Sequence, residues 1–466
     1  MADNVERDYV RPILDEDLPP AGAAGPAGGG PLIAGFAPMT PFALHGCVLT
    51  PDTVIEKGWV DITGGTITRV GTGVPGPGIR RLETDGIILP GLIDLHGHPE
   101  YNVFAPWEPP MLFANRGRWR ASPGYDALVK LPLANLKAAP SLQKSLTRYA
   151  EARALIGGTT AIQGTNGTFS NLEESLVRNV DRWIFGGHKA RSIIDLDRTP
   201  PADITKLLGQ ISAGDVNAVY IHLAEGVDAT SRSEFAALKT AKMLTKTTVI
   251  IHGTALEDAD LDEIAASGAK LVWSPQSNLR LYGATTKAGL ARQKGIPIGL
   301  GADWQPSGSP SLLAEMKVAR RALIEEGRPA TARDLVRMVT IDAAAIAGLS
   351  GHLGLLAKDR PADVLVLERH DSDPWEAVLD AYPSAVELVE LGGDIAYGRL
   401  DWARDLADVA AGAPDPAGTE RAIAWGKTML LDLRYSVRVQ AVPPPRLADL
   451  RAELIGRDPR IGPIFA

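Results

Sequence analysis

The chain has 466 residues, 45% of them apolar and 22% charged, with a formal net charge of -8, the usage of an ordinary globular enzyme rather than of a disordered or membrane-embedded chain. The acidic balance speaks against a nucleic acid or an anionic membrane as main partner and leaves a small molecule. Cys47 is the single cysteine, so neither an internal disulfide nor a thiolate zinc site can be built.

Residues 1–12 carry charges throughout and no apolar stretch of the signal-peptide kind, and no run of ~18 apolar residues follows, so a soluble, cytoplasmic protein is expected. Residues 18–35 are rich in Pro, Ala and Gly without periodicity. The segment 1–41 therefore reads as a flexible lead-in, ordered only if another surface such as a second subunit holds it. Short β runs follow at 42–49, 54–63 and 66–70, with Gly64-Gly65 as a hairpin turn. A matching set lies near the other end at 364–367, 386–391 and 395–397, around Gly392-Gly393. Neither set has enough strands to stand alone, so a small β-sandwich built from 42–89 and 362–398 is expected.

Between these ends, strand and helix alternate. Strands are read at 92–96, 160–163, 176–180, 191–195, 218–222, 248–252, 270–273 and 296–300, with helical stretches at 142–156, 234–244 and 258–266 among others. Eight such strands predict an α/β fold, a (β/α)8 TIM barrel over 90–361. After the eighth strand, Ser309 is expected to cap a helix with Pro310 in its first turn and Gly327 past its end. The C-terminal extension, 399–466, reads as helical pieces interrupted by Pro443-Pro444-Pro445 and shows no chemical motif.

Four polar clusters close predicted strands. In Asp94-Leu95-His96-Gly97-His98, two histidines one residue apart share a face of an extended segment and can reach one ion. His222-Leu223-Ala224-Glu225 adds a third histidine and, three residues on, a carboxylate able to carry protons. His252-Gly253 and Gly301-Ala302-Asp303 complete the set. Any one of these residues could simply cap a loop. Four of the eight histidines nevertheless end predicted barrel strands, and barrel closure brings those ends to one mouth. Gathering buried ionisable groups is costly unless they pair or bind a metal. The other four, His45, His188, His352 and His370, read as structural or solvent-exposed.

The order Gly91-Leu92-Ile93-Asp94-Leu95-His96-Gly97-His98, Gly157-Gly158-Thr159-Thr160, His222-Leu223-Ala224-Glu225, His252-Gly253, Ser274-Pro275-Gln276-Ser277-Asn278-Leu279 and Gly299-Leu300-Gly301-Ala302-Asp303 resembles the amidohydrolase superfamily over roughly residues 42–398. Within it, the chain is most similar to the mononuclear-metal branch that holds cytosine and guanine deaminases, triazine hydrolases and imidazolonepropionases. The resemblance implies one divalent ion held by His96, His98, His222 and Asp303. It also implies that His252 hydrogen-bonds the metal-bound water or the substrate and that Glu225 moves protons; the chemistry of such a site agrees, since Asp303 can take the water's proton as attack occurs. Zinc is the expected metal, with Fe2+ or Mn2+ as alternatives for such a donor set. Other members carry two metals on a carboxylated lysine of the fourth strand. Here Lys189 precedes that strand and none lies within it, which favours one metal. The thiolate-zinc nucleobase deaminases are excluded, since they need at least two cysteines.

The loop after the first strand, 99–133, holds Tyr101, Phe104, Trp107, Phe113, Trp119 and Tyr125, interleaved with Arg116, Arg118 and Arg120. One reading is an aromatic wall with an anion-binding arginine for a planar or carboxylated substrate; the other is a loop packed on its own aromatics or on a neighbouring subunit. Tyr101, Trp107, Arg116, Trp119, Asn166, Asn278 and Trp304 are the candidate substrate contacts, and Thr165, Arg178, Asn179 and Gln276 are further candidates. Asn278 could instead tie its own loop. The expected activity is hydrolysis of a C–N bond in a small cyclic or N-heterocyclic substrate, of the deaminase type. The alternatives are ring-opening of a cyclic amide and an inactive barrel with an assembly role. A homo-oligomer is the expected assembly.

Overall fold

β-rich segments from both ends of the chain pair in one sheet of the computed structural model, which describes residues 41–164, 175–181, 190–415, 419–433 and 446–461. The lead-in up to residue 40, Thr165, Asn166, His188, Lys189 and the three consecutive prolines lie outside the described residues. The first strands are β1 (Phe42–Leu49), β2 (Val54–Thr63), β3 (Thr66–Gly71) and β4 (Arg80–Pro90). Gly64 and Gly65 turn β2 into β3 with φ of +57° and +80°, the left-handed pair that a two-residue hairpin requires. β4 was not anticipated: its first half, with Glu83, Thr84 and Asp85, is polar, and only its second half is buried throughout.

Eight parallel strands follow: β5 (Leu92–Asp94), β6 (Thr159–Ile162), β7 (Arg178–Asn179), β8 (Ala190–Ile193), β9 (Ala218–Leu223), β10 (Thr248–His252), β11 (Lys270–Trp273) and β12 (Ile298–Leu300). They form a three-stranded sheet, β5-β6-β7, and a five-stranded one, β12-β11-β10-β9-β8. All eight expected strands are thus present, several of them trimmed at their ends. Leu95 N–H donates to Leu300 O at 3.3 Å and Asp303 N–H to His96 O at 2.7 Å, so one edge of each sheet is joined just past β5 and β12. Among the described residues, side chains tie β8 to the ends of β6 and β7, with Ser192 Oγ and Gln163 Nε2 both bonded to Asp181 Oδ1.

β9 and β10 are buried at every position, as parallel strands covered on both faces must be. Val249 and Ile251 join an inner cluster with Ile93, Leu95, Tyr220 and Val272; Ile250 points the other way, into the layer shared with the helices. The helix expected at 234–244 begins earlier, at Ala229, because Asp228 caps it by accepting from Ser231 N–H at 3.0 Å, and it ends at Thr240. After β12 the helix is Leu312–Glu325, and its cap is Ser311 rather than Ser309. Gly327, at φ +72°, follows its end as expected.

The last strands are β13 (Val364–Leu367), β14 (Val386–Leu391), β15 (Asp394–Arg399), β16 (Thr419–Ala424) and β17 (Lys427–Asp432). With β1 to β4 they form one nine-stranded sheet in the order β16-β17-β15-β14-β13-β4-β1-β2-β3. Ala362 N–H donates to Gly65 O and Ile67 N–H to Arg360 O, at 2.9 and 2.8 Å. These bonds draw the β3 edge back toward the start of β13, round an apolar cluster that includes Phe42, Leu44, Ile62, Ile88, Val366 and Leu388. The tail therefore differs from the helical expectation. Its β16–β17 hairpin turns at Trp425 and Gly426, both at positive φ, and extends the sheet past residue 398. The helix Leu447–Ile455 packs on Pro140–Ile156, where Ser145 Oγ donates to Glu453 at 2.7 Å. Among the described residues, no helix is long and apolar enough to cross a membrane.

Candidate metal centre

Past the ends of β5 and β12, Asp94 organises the backbone. Its Oδ1 accepts from the N–H of His96 at 3.1 Å and from that of Ala302 at 3.2 Å, holding the two segments that carry His96, His98 and Asp303 side by side. The approach is close: a Cβ on Gly301 would stand 2.4 Å from His96 Cβ, so only glycine fits there. Ala224, His252 and Asp303 take φ of +53°, +67° and +58°. Each such conformation costs a non-glycine residue about 1–3 kcal/mol and persists where the surroundings over-determine it. All three occur where the chain leaves β9, β10 or β12.

Four histidines and an aspartate converge there. The ligating atoms of His96, His98 and His222, and separately those of His96, His252 and Asp303, lie within 4.8 Å of one another. Asp303 Oδ1 is 3.0 Å from His96 Nε2 and 3.6 Å from His98 Nε2. Burial pushes the His98 imidazole down to about 3, helped by the neighbouring His96, and burial likewise lowers His222 and His252. Neutral imidazoles keep a lone pair free for coordination. For Asp303, burial works to raise the carboxyl, but the imidazoles around it, His96 foremost, outweigh this and hold it well below the usual range. Nδ1 of His222 is buried without a hydrogen bond. Neutral imidazoles, a carboxylate and an orphaned buried nitrogen fit a divalent cation.

His252 stands between this group and Glu225. Its Nε2 lies 3.6 Å from Glu225 Oε2, and its Nδ1 lies 3.4 Å from Nδ2 of Asn278, which also donates to Thr254 Oγ1 at 2.7 Å. Glu225 is buried and held at both oxygens. Tyr282 OH donates to Oε1 at 2.6 Å and Arg116 Nη1 to Oε2 at 3.2 Å. Burial acts to raise Glu225, but the charges of His252 and Arg116 and the Tyr282 bond overcome it and keep the group low, as a carboxylate.

Arg116 reaches this point because its loop is sewn to the turn after β9. Asn115 bridges Gly226, Val227 N–H donates to Ala114 O at 2.8 Å, and Asn115 Nδ2 donates to Asp228 at 2.6 Å. The guanidinium also bonds Asp195 and lies 3.8 Å from Glu234. It is thus engaged by protein carboxylates.

A cavity of about 100 Å³ opens beside His98, His222, His252, Asp303 and Glu225. Tyr101, Arg116, Trp119 and Trp304, expected as substrate contacts, line it, together with Tyr125, Arg120, Arg198, Lys130, Leu133 and Ile194. Trp119 and Trp304 lie 5.2 Å apart with planes at 33°, and Tyr101 meets Trp304 edge-on at 5.2 Å. Trp107 stands outside the cavity, buried against Phe113 and Tyr125, so part of the loop does pack on its own aromatics. Asn278 also stands outside, behind His252. Arg178 is buried in an ion pair with Asp363 and Asn179 in a turn with Asp181.

Sequence reasoning did not single out Tyr282, Asp195 or Glu234. Asp195 closes an expected strand, so the rule that selected His222 would have found it. Tyr282 lies four residues beyond Asn278, on the same face of the helix Pro275–Tyr282, a relationship visible from helical spacing.

Against known proteins, residues 202–398 match the model of the amidohydrolase family. The 5-methylthioadenosine/S-adenosylhomocysteine deaminase of Symbiobacterium thermophilum is 26% identical over 417 residues, covering 77% of this chain and 94% of that protein. Among solved structures, an adenosine deaminase from Xanthomonas campestris with bound zinc superposes with a TM-score of 0.64 at 16% identity, over 76% of this chain and 92% of that one. Escherichia coli guanine deaminase gives 0.64 at 17%, over 77% and 100%. These two likenesses are of fold.

Proposed function

We propose, from the premise that the chain belongs to the amidohydrolase superfamily and is a metal-dependent hydrolase of carbon–nitrogen bonds, that it removes an amino group from a planar N-heterocycle. In this reading the two parallel sheets are one closed (β/α)8 barrel over 90–361, with its site at the C-terminal mouth, and the composite sheet is a separate module. The observation that carries the proposal is the clustering of His96 with His98 and His222, and of His96 with His252 and Asp303, each set within 4.8 Å, with Glu225 beside His252.

The four ligands would be His96, His98, His222 and Asp303, and the ion zinc, as in the zinc-bound relative of the same fold. Bound there, the ion supplies a water acidic enough to attack at neutral pH. The aromatic wall of Trp119, Trp304 and Tyr101 stacks the ring, and His252 steadies the oxygen that gains charge as the carbon becomes tetrahedral. As the C–O bond forms, Glu225, ionised at rest, takes one proton from the water and hands it to the ring nitrogen. As the C–N bond breaks, the second proton passes through Asp303 to the leaving amine, which departs as ammonia. Both protons of the water thus end on nitrogen.

The relatives are named as deaminases of adenine-bearing compounds, which supports an exocyclic amine on a purine-like ring. The test is a screen of the zinc-loaded protein against aminopurine nucleosides, aminopyrimidines and cyclic amides, scoring ammonia and loss of the ring separately. Ammonia with the ring intact is expected. Ring loss without ammonia would replace deamination by ring-opening.

A further inference from the structure

The two oxygens of Glu225 are held by different donors on different elements. Oε1 receives the phenol of Tyr282 at 2.6 Å, and that phenol is itself the acceptor for the indole N–H of Trp119 at 2.8 Å. Oε2 receives Arg116 at 3.2 Å and faces Nε2 of His252 at 3.6 Å. All four partners are buried. Trp119 belongs to the long loop after β5 and forms part of the cavity wall, so the chain Trp119 to Tyr282 to Glu225 runs from the substrate face to the proton carrier.

We propose that Tyr282 is a positioning residue for Glu225. Its phenol pins Oε1, so that Oε2 alone is left to face His252 and the reacting atoms, and Trp119 ties this hold to the cavity wall. The inference rests on the proton-carrying role given to Glu225 above and adds how that group is aimed and kept charged. A neutral donor on one oxygen favours the ionised form, because the bond is stronger to a carboxylate than to a carboxylic acid. Donation from Trp119 into the phenol oxygen strengthens the phenol as a donor in turn. The phenol keeps its proton to donate, since burial, then the Glu225 charge, pushes its ionisation far above the ordinary range.

The charged and titratable groups facing Glu225 are Arg116 from the loop helix Arg116–Arg120, His252 from the end of β10 and Tyr282 from the helix Pro275–Tyr282. Asp303 acts from just beyond β12 through its charge. Glu234 and His98 also act on Glu225 through their charges, and Asp195 shares Arg116 with it. None of the three direct partners is in the proposed ligand set.

Infrared difference titration of the zinc-loaded protein reads proton uptake by Glu225 directly, with Glu225→Gln identifying its band. In Tyr282→Phe the midpoint should rise by about one pH unit, the size expected for losing one hydrogen bond to a charged group, while zinc content stays at the parent value. Trp119→Phe should move it less, in the same direction. A Tyr282→Phe midpoint equal to the parent's would overturn the proposal, and if that variant fails to fold, an unmoved midpoint in Trp119→Phe would do so. This outcome is separate from the fate of the functional reading, which falls if Glu225→Gln keeps full turnover whatever the midpoints show.

Discussion

Arg178 and Asp363 form a buried two-pronged ion pair, Nε to Oδ2 at 2.6 Å and Nη2 to Oδ1 at 2.8 Å, that fastens β7 to the residue before β13. Asp363 also accepts from Gly392 N–H at 2.8 Å, so the pair fixes the parallel strands against the turn between β14 and β15. Removing one partner of such a pair leaves the other charge buried and alone. Arg178→Ala should therefore lower unfolding stability by about 3–5 kcal/mol, measured by urea denaturation. A loss under about 1 kcal/mol, the scale of an exposed pair, would show that the site is open to water.

The ligand assignment predicts that His98→Ala releases the metal without unfolding the chain. Metal content by atomic spectroscopy should fall at least tenfold against the parent protein, while circular dichroism stays the same. Full metal content in that variant would remove His98 from the ligand set.

Glu225→Gln separates metal binding from turnover. Because Glu225 bonds Tyr282 and Arg116, the variant should keep its metal. Loss of a positioned proton carrier should cut kcat by about 10²–10⁴, with KM changed far less.

Glu151 predicts a pH dependence of stability. Burial pushes its carboxyl up from 4.5 to about 8, although its Oε2 accepts from Leu176 N–H. Between those two values the folded chain holds a proton that the unfolded chain has lost, so stability falls as pH rises through this window. Glu151→Gln keeps an acceptor for Leu176 and has no proton to lose. Its stability relative to the parent should therefore be greater at pH 8 than at pH 5, read from chemical denaturation at both; a constant difference would remove Glu151 from this role.

How far the sequence carries depends on whether a residue's role is written in its neighbours. His96, His98, His222, His252 and Asp303 stand at or just past the ends of apolar runs, and strand-end position is a local property that survives folding. The eight parallel strands were legible for the same reason, β9 and β10 best of all because both of their faces are buried. Arg116 was not: its spacing in the loop suggests an anion site for ligand, but Asp195, Glu225 and Glu234, far away in the chain, occupy it instead. β4 hides behind Glu83, Thr84 and Asp85, and the β16–β17 hairpin shows too little alternation to announce a sheet edge. Trp107 and Trp119 look alike in sequence, yet only Trp119 has a polar partner at the cavity.

The contacts that join the residues just past β5 and β12 also set a timetable for synthesis. Asp94 waits for Ala302, 208 residues downstream, and His96 for Asp303. A nascent chain still short of residue 303 can present its histidines but not the carboxylate among them. If the proposed ligand set is right, a product truncated before Asp303 would lack the carboxylate of the centre and the bond that holds His96 to it.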